Sequence, residues 1–269
     1  MKSLDSIADD FYHAFYTKIW RGDESSIKEL SVAEAYATQD IVTTKRIEKG
    51  ERVAGYKVGC TSPAIRKQFG ISEPVSGRLF QPHILDSNAT VDYLNYMDCA
   101  IEPEMVLKIG KDLKGMNLSD EELINSIDYV SPGIELHNFK FRITPPIVQE
   151  LICTGGIHAG LVIGNQKADP KKLGFKDEIF SVYKDGNLIT SAPSSEIMGG
   201  PIHSLRWLVT FLTKKGQVLT KDSFVIPGSP VELVNIDQDT ELKVVIDQVG
   251  SLTTLFKKSL VPVASKSNK

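Results

Sequence analysis

Hydrophobic residues at helical spacing dominate the first fifty positions of the chain. In the first segment they recur every three or four residues, which predicts an amphipathic helix. They are Leu4, Ile7, Ala8, Phe11, Phe15 and Ile19. A second helix is predicted to begin at Ser31, because Ser31 and Glu34 have the spacing of a capping box. Gly50 is a stop signal for that helix.

Beyond residue 50 the pattern changes to short, mostly apolar segments separated by Gly, Pro, Asn and Asp. Such segments predict strands. They cover 53–59, 105–109, 129–136, 160–164, 179–184, 187–191, 241–247 and 251–257. Three helices are predicted between them, at 62–70, 119–126 and 201–215.

The order of these elements constrains the fold class. Strands and helices do not alternate regularly, which argues against a Rossmann fold or a TIM barrel. We therefore predict an α+β fold whose core is a mixed, rolled or sandwiched β-sheet with a helical N-terminal part. The predicted division is a helical subdomain, 1–52, and a β-rich catalytic domain, 53–269.

Composition narrows the classes of protein. The formal net charge of −3 and the scattered basic residues give no sign of nucleic-acid binding. The three cysteines have no spacing typical of a disulfide framework or a zinc site, and the five histidines show no metal-ligand spacing. No segment is typical of a signal peptide or a membrane span, so we expect a cytoplasmic protein. The lysines of the tail, to Lys269, are expected to lie on a solvated, frayed terminus.

Two glutamates two positions apart precede an apolar segment. In an extended chain, Glu102 and Glu104 point to the same side. Two converging carboxylates repel unless a positive charge lies between them, and oxygen ligands suit Mg²⁺ or Mn²⁺. The other interpretation is a solvated strand edge with two surface acids. Pro103 lacks an N–H, so an edge or an irregular entry to a strand is expected here.

Glu135 and Lys57 lie inside two further predicted strands. If Ile134 and Leu136 face the core, Glu135 points to the opposite face, and on a strand buried on both faces it needs a partner. Lys57 lies between glycines that permit close approach of other backbone. It could bind a substrate carboxylate or act as a base after partial burial. The alternative for Lys57 is an outward-facing strand lysine.

Several motifs together give the chain a family resemblance. They are 30–39 (LSVAEAYATQ), 55–63 (GYKVGCTSP), 77–80 (GRLF), 101–104 (IEPE), 132–135 (PGIE) and 199–208 (GGPIHSLRWL), with a hairpin around Gly250. In this order the chain resembles the 2-keto-4-pentenoate hydratase and 4-oxalocrotonate decarboxylase family, within the fumarylacetoacetate-hydrolase-like superfamily.

The resemblance implies roles for particular residues. Glu102, Glu104 and Glu135 match the three metal carboxylates of the family, which hold Mg²⁺ or Mn²⁺. The metal would chelate the carboxylate and 2-oxo oxygen of a small 2-keto acid and stabilise an enolate. Lys57 matches a lysine at the substrate, expected to transfer a proton or bind a carboxylate. Ser229 lies near the position of a hydroxyl residue that contacts the substrate.

Three segments depart from the family pattern. An acid commonly follows the Leu-Phe pair, where this chain has Pro82. A segment similar to Asp-Ser-Arg is replaced by Asn-Phe-Lys at 138–140, and a run containing Asp-Asn by TGGIHAG at 154–160. His158 in that run could replace a lost proton carrier and contact the substrate, because its unperturbed pKa is near neutrality. The alternative is a hydrogen-bonded structural histidine.

The resemblance implies an enzyme. The expected activity is a metal-dependent hydratase that adds water to a 2-hydroxy-2,4-dienoate or its 2-keto-4-enoate tautomer and gives a 4-hydroxy-2-oxo acid. The alternatives are a vinylogous 2-keto acid decarboxylase, an acylpyruvate hydrolase, and a metal- and ligand-binding partner subunit without turnover. A homo-oligomer is expected, with no nucleic acid and no membrane among the partners.

Overall fold

The computed structural model describes residues 2–259, so the end of the predicted tail, from position 260 to Lys269, lies outside the described residues. The helices are α1 (Leu4–Thr17), α2 (Glu24–Lys28), α3 (Val32–Glu48), α4 (Pro63–Phe69), α5 (Asp120–Ile124), α6 (Val148–Cys153) and α7 (Pro201–Lys214). Short 3₁₀ turns occur at Gln81–His83, Tyr93–Asn95, Pro170–Lys172 and Ser194–Glu196.

The strands form two sheets. They are β1 (Val53–Gly59), β2 (Val75–Phe80), β3 (Ile84–Asp86), β4 (Thr90–Val91), β5 (Cys99–Ile109), β6 (Ile127–Asn138), β7 (His158–Ile163), β8 (Ile179–Lys184), β9 (Asn187–Pro193), β10 (Phe224–Ile226), β11 (Val234–Asn235), β12 (Thr240–Ile246) and β13 (Gly250–Phe256). The first sheet has the order β2-β1-β10-β5-β6-β7-β3, with β11 also paired to β5. The second sheet has the order β4-β13-β12-β8-β9. This mixed α+β architecture confirms the predicted fold class.

The first sheet curls strongly. In a flat sheet, β1 and β6 would lie about 14 Å apart, since each of the three strand spacings between them is about 4.8 Å. Yet Lys57 of β1 and Glu135 of β6 approach to 3.3 Å between Nζ and Oε1. The ends of the sheet also meet, because the carbonyl of Gly155, just before β7, lies against Gly77 of β2. The curl encloses one face of the sheet.

The outer face of the curled sheet packs on the second sheet and on α7. This is the main hydrophobic core, and alternate residues of β5 and β6 point into it. Its fully buried members include Ile101, Met105, Leu107, Ile134, Leu136, Phe180, Leu205, Leu208 and Phe256. Ile134 and Leu136 therefore face this core, and Glu135 points to the enclosed inner face, as expected.

The N-terminal helices pack on the sheet through a separate apolar cluster. Ile7 and Phe11 of α1 share this cluster with Leu151 and Ile152 of α6 and with Val75 of β2. A buried hydrogen-bond pair also ties α3 to this region, since Gln39 Nε2 donates to the carbonyls of Ser76 and Ile152 at 2.9 and 2.7 Å. The boundary at residue 52 stays a prediction, but the helices before it share a core with elements after it.

Local signals placed most elements correctly. β1 and β8 have the predicted bounds, and the capping box of Ser31 and Glu34 is present at the start of α3. The prediction that Pro103 lies at an irregular entry to a strand is wrong, because Pro103 lies inside the regular strand β5. On one side of β5, β10 pairs at Leu107 and β11 at Ile101. Pro103 lies in the gap between them, where a residue without an N–H is tolerated.

Among residues 2–259, none of the helices combines the length and the apolar character that crossing a bilayer demands.

Replacing Gln39 with Ala tests the link between the N-terminal helices and the sheet. The substitution removes one hydrogen bond to each of two buried carbonyls, although the carbonyl of Ile152 still accepts from the N–H of Gly155 at 2.9 Å. Each lost hydrogen bond contributes about 0.5–1.5 kcal/mol. We expect the free energy of unfolding, measured by urea denaturation, to fall by at least about 1 kcal/mol. Gln149→Ala is the matched control, since Gln149 donates only to the carbonyl of Leu30 in a half-buried position. Equal losses for both variants would contradict this role for Gln39.

Candidate metal and substrate site

The strand register places four ionisable residues on the inner face of the curled sheet. Glu102 of β5 lies directly opposite Glu135 of β6. Glu104 and His137 are each two positions further along the same strands, so they share that face. The two-residue period of neighbouring strands therefore concentrates these side chains at one point.

The cluster is buried above a small apolar floor. Glu104 and Glu135 are both 0% exposed, while Glu102 remains partly accessible. The floor consists of Leu79, Val106, Leu161 and Ile226, all buried. An apolar floor offers no hydrogen bonds, so the carboxylates must be compensated by the few polar groups beside them.

Glu135 is the centre of the compensating contacts. Its Oε1 accepts a hydrogen bond from Nδ1 of His158 at 2.8 Å and forms an ion pair with Nζ of Lys57 at 3.3 Å. Its Oε2 is buried and has no hydrogen-bond partner among the described residues. One oxygen of Glu135 is thus fully used, and the other faces the cluster without a partner.

Lys57 is buried, and its side chain packs against glycines. It is 3% exposed, which excludes the alternative of an outward-facing lysine, and its Nζ donates to the carbonyl of Gly156 at 3.2 Å. A Cβ added at Gly59, Gly77 or Gly156 would lie 3.0 to 3.3 Å from the Lys57 side chain. Larger residues at these positions would crowd Lys57, so the glycines leave room for its side chain to reach Glu135.

His137 completes a compact group that sequence reasoning did not find. Its Nε2 lies 3.1 Å from Oε2 of Glu102 and 3.5 Å from Oε2 of Glu135. One donor atom from each of Glu102, Glu135 and His137 lies within 4.8 Å of the others. The expectation that no histidine has metal-ligand spacing is therefore wrong for His137. The signal was present, since a two-residue spacing from Glu135 on a strand puts His137 on the same face.

Glu104 lies beside this group and contacts the loop after β10. Its Oε2 accepts a hydrogen bond from the backbone N–H of Gly228 at 3.1 Å, while its Oε1 is buried without a partner among residues 2–259. The adjacent Ser229 uses its hydroxyl within the loop, to the carbonyl and N–H of Val231. The predicted ligand role of Glu104 and the substrate role of Ser229 stay predictions.

The cluster perturbs the protonation of its members. Burial and the nearby charges of Glu135 and Glu102 raise the pKa of Glu104 well above its usual value. Burial opposes ionisation of Glu135, but the Lys57 ammonium outweighs it and holds the pKa of Glu135 low. Burial also favours neutral Lys57, yet the three carboxylates raise the pKa of Lys57. Burial lowers the pKa of His158.

These residues fit a divalent cation. If all three carboxylates were ionised beside one ammonium, two negative charges would be uncompensated, and burial without a counter-charge is expensive. The raised pKa of Glu104 reflects this cost. The unpartnered atoms Glu104 Oε1, Glu135 Oε2 and His137 Nε2 belong to the same cluster. A cation with charge 2+ would satisfy both the charge and the donors.

A cavity of about 50 Å³ lies beside the cluster, between the N-terminal helices and the sheet. Its lining includes His158, Arg46, Arg78 and several aromatic rings of α1. Two of the departures from the family pattern line it, at Asn138 and in 154–158. His158 directs Nδ1 to Glu135, and its Nε2 has no partner within the described part of the chain.

Comparison with known proteins gives consistent matches along most of the chain. A 2-keto-4-pentenoate hydratase from Paraburkholderia xenovorans (strain LB400) is 24% identical over 231 residues, which cover 86% of each sequence. A 4-oxalocrotonate decarboxylase from Pseudomonas sp is 26% identical over 227 residues, covering 83% of this chain and 86% of the relative. No family model matches the chain.

Solved structures match the fold. The 4-oxalocrotonate decarboxylase from Pseudomonas putida G7, complexed with magnesium and adipate, aligns with a TM-score of 0.89 at 20% identity, over 94% of this chain and 97% of that one. Fumarylpyruvate hydrolase from Pseudomonas aeruginosa, in complex with Mn²⁺ and pyruvate, aligns with a TM-score of 0.61 at 16% identity, over 76% and 89%. The fold is thus that of the fumarylacetoacetate-hydrolase-like proteins. Within that class of fold, the chain is similar in sequence to 2-keto-4-pentenoate hydratases and 4-oxalocrotonate decarboxylases.

Replacing Gly156 with Ala tests the packing around Lys57. Gly155 and Gly156 both have positive φ, +68° and +75°, so Ala carries a similar backbone strain at either position. Only at Gly156 does the new Cβ crowd Lys57, at 3.1 Å from Nζ, whereas a Cβ at Gly155 meets nothing within 4 Å. Crowding of a packed site costs about 1–3 kcal/mol. We expect Gly156→Ala to lose at least about 1 kcal/mol more than Gly155→Ala in urea denaturation, and equal losses would refute the packing argument.

Proposed function

We propose that this protein is a divalent-metal-dependent hydratase. It adds water to a 2-hydroxy-2,4-dienoate, or to its 2-keto-4-enoate tautomer, and produces a 4-hydroxy-2-oxo acid. The observation that carries the proposal is the buried cluster of Glu102, Glu104 and Glu135 around Lys57. It occurs in a chain whose relatives include named hydratases.

The acidic cluster supports binding of the 2-keto acid end of the substrate. When bound, Mg²⁺ or Mn²⁺ supplies a Lewis acid that polarises the 2-oxo group; Glu102, Glu104 and Glu135 would hold it. Lys57, in its charged form, provides a buried cation beside Glu135 that suits an anionic substrate oxygen. Its contacts with Glu135 and with the carbonyl of Gly156 hold this ammonium group, so it is oriented before the substrate binds.

His158 is the proton carrier in this proposal. Its Nδ1 lies 2.8 Å from Oε1 of Glu135. When the N–H at Nδ1 donates a hydrogen bond to this carboxylate, Nε2 is the unprotonated, basic nitrogen. This nitrogen is buried, has no partner among residues 2–259, and belongs to a residue that lines the cavity. The arrangement can accept a proton from water or return one to the substrate carbon chain.

The cavity supports the binding of the far end of the substrate. It adjoins the cluster at His158, and its aromatic lining suits the carbon chain of a dienoate. Its small volume, about 50 Å³, also limits the water that can reach the reacting atoms. We propose that the enzyme works as a homo-oligomer in the cytoplasm.

A vinylogous decarboxylase is the second candidate. The observation that favours it is the similarity to 4-oxalocrotonate decarboxylases in both sequence and fold. Both reactions pass through an enolate of a 2-keto acid, and the same cluster would serve either one. Incubation with 4-oxalocrotonate separates them, since a decarboxylase releases CO₂ and a hydratase does not.

Metal removal and replacement of Glu135 test the proposed hydratase. With 2-hydroxypenta-2,4-dienoate, we expect loss of dienol absorbance only when Mg²⁺ or Mn²⁺ is present, and complete loss of activity after dialysis against a chelator. Glu135→Gln removes a charge from the cluster and the acceptor of His158, so kcat should fall by about 100-fold or more.

The control for that substitution is Glu241→Gln, on the exposed side of β12, which should leave kcat unchanged. Absence of any dienol consumption by the metal-loaded protein, above the uncatalysed rate, would sink the hydratase proposal.

His158→Gln tests the proton carrier. Gln can still donate to Glu135 but cannot exchange a proton at neutral pH, so we expect kcat to fall by about 10²- to 10⁴-fold. The affinity for Mn²⁺, measured by calorimetry, should change little, because Gln keeps a hydrogen-bond donor to Oε1 of Glu135 and so preserves the orientation of that carboxylate. Unchanged kcat would make His158 a structural histidine.

A further inference from the structure

His137 is the one member of the inner-face cluster that the proposed mechanism does not use. It is 1% exposed, and neither of its ring nitrogens has a hydrogen-bond partner in the part of the chain that the structure describes. Its Nε2 has only ion-pair contacts with Glu102 and Glu135, and a buried imidazole that makes no hydrogen bond needs an explanation, since its burial is unfavourable. A structural histidine would normally be held by at least one hydrogen bond.

We propose that His137 is a direct ligand of the divalent cation, through Nε2, together with Glu102 and Glu135. The resulting set of oxygen and nitrogen donors makes the site selective for a transition ion such as Mn²⁺, Fe²⁺ or Co²⁺ over Mg²⁺. This inference rests on the proposed function, because it concerns the metal of the same site.

The distances between donor atoms support this geometry. Two donors bonded to one cation at about 2.1 Å lie about 3.0 Å apart at right angles and about 3.4 Å apart at a tetrahedral angle. Nε2 of His137 lies 3.1 Å from Glu102 and 3.5 Å from Glu135. Nε2 forms no hydrogen bond with either oxygen. Three donors that converge without bonding one another are typical of a metal site.

The two oxygens of Glu135 have different contacts, and this difference suits a metal ligand. Oε1 is used by His158 and Lys57, whereas Oε2 is free and faces His137. Hydrogen bonds to the first oxygen orient the carboxylate, which presents the second one to the cation. Glu102 contributes from the accessible side of the group, being the partly exposed member.

The chemical class of the donor predicts the preference among cations. Oxygen ligands alone suit Mg²⁺, which is hard and retains its water, whereas imidazole favours first-row transition ions. A buried neutral imidazole would also bind the cation without adding charge to the cluster. We therefore expect Co²⁺ and Mn²⁺ to bind more tightly than Mg²⁺, in calorimetric titrations of the metal-free protein.

Pulsed EPR of the Mn²⁺-loaded protein tests the ligand directly. A coordinated imidazole gives ¹⁴N modulation of the electron spin echo, and we expect it in the native protein and in His158→Gln. His137→Gln offers a neutral oxygen donor in place of nitrogen, so it should lose the modulation. Its affinity for Co²⁺ should fall at least about 10-fold, and its affinity for Mg²⁺ should fall less.

The outcomes separate this inference from the proposed function. Mn²⁺ that binds the native protein without ¹⁴N modulation overturns the role of His137 and leaves the hydratase proposal intact. If the native protein binds neither Mn²⁺ nor Mg²⁺, the proposed metal dependence of the hydratase is refuted. If His137→Gln fails to fold, modulation in the native protein that persists in His158→Gln still assigns the ligand, because His137 is then the remaining imidazole in the cluster.

Discussion

The concentration of negative charge inside the curled sheet is the constraint on which the rest of the structure depends. Three carboxylates share one enclosed face above an apolar floor, and such burial is stable only with compensating charge and hydrogen bonds. Lys57, which packs against three glycines, supplies one cation, and the divalent ion that we propose would supply the rest. The carbonyl of Gly156, which accepts from Lys57, and the ring of His158, which contacts Glu135, contribute to that compensation.

The same constraint connects folding with chemistry. Strands β5 and β6 turn their apolar residues to the main core and their charged residues inward, so the element that stabilises the fold also assembles the site. The site is therefore built on rigid strands, which hold ligands more precisely than loops do. The helices before residue 52 close the structure over the cavity beside His158.

The departures from the family pattern gain a physical interpretation. Asn138 and the segment 154–158 line the cavity, while Glu102 and Glu135 stay at the centre of the cluster. Asn138 also accepts a hydrogen bond from the backbone N–H of Met97 at 2.9 Å. The changed residues thus alter the cavity that we propose for the far end of the substrate, and the acidic cluster is retained. Families with one enolate-forming centre diversify in this way.

Sequence alone determined much of this protein, because its signals are local. The periodicity of apolar residues, the capping residues and the turn residues predicted β1, α3 and α7. The two-residue spacing of Glu102 and Glu104 predicted that both lie on one face of a strand. Only the tertiary structure decided that Lys57 meets Glu135 across the curl, and that His137 joins the cluster while Ser229 bonds within its own loop. The reason is that spacing fixes which face a side chain occupies, whereas register and curvature decide which faces meet.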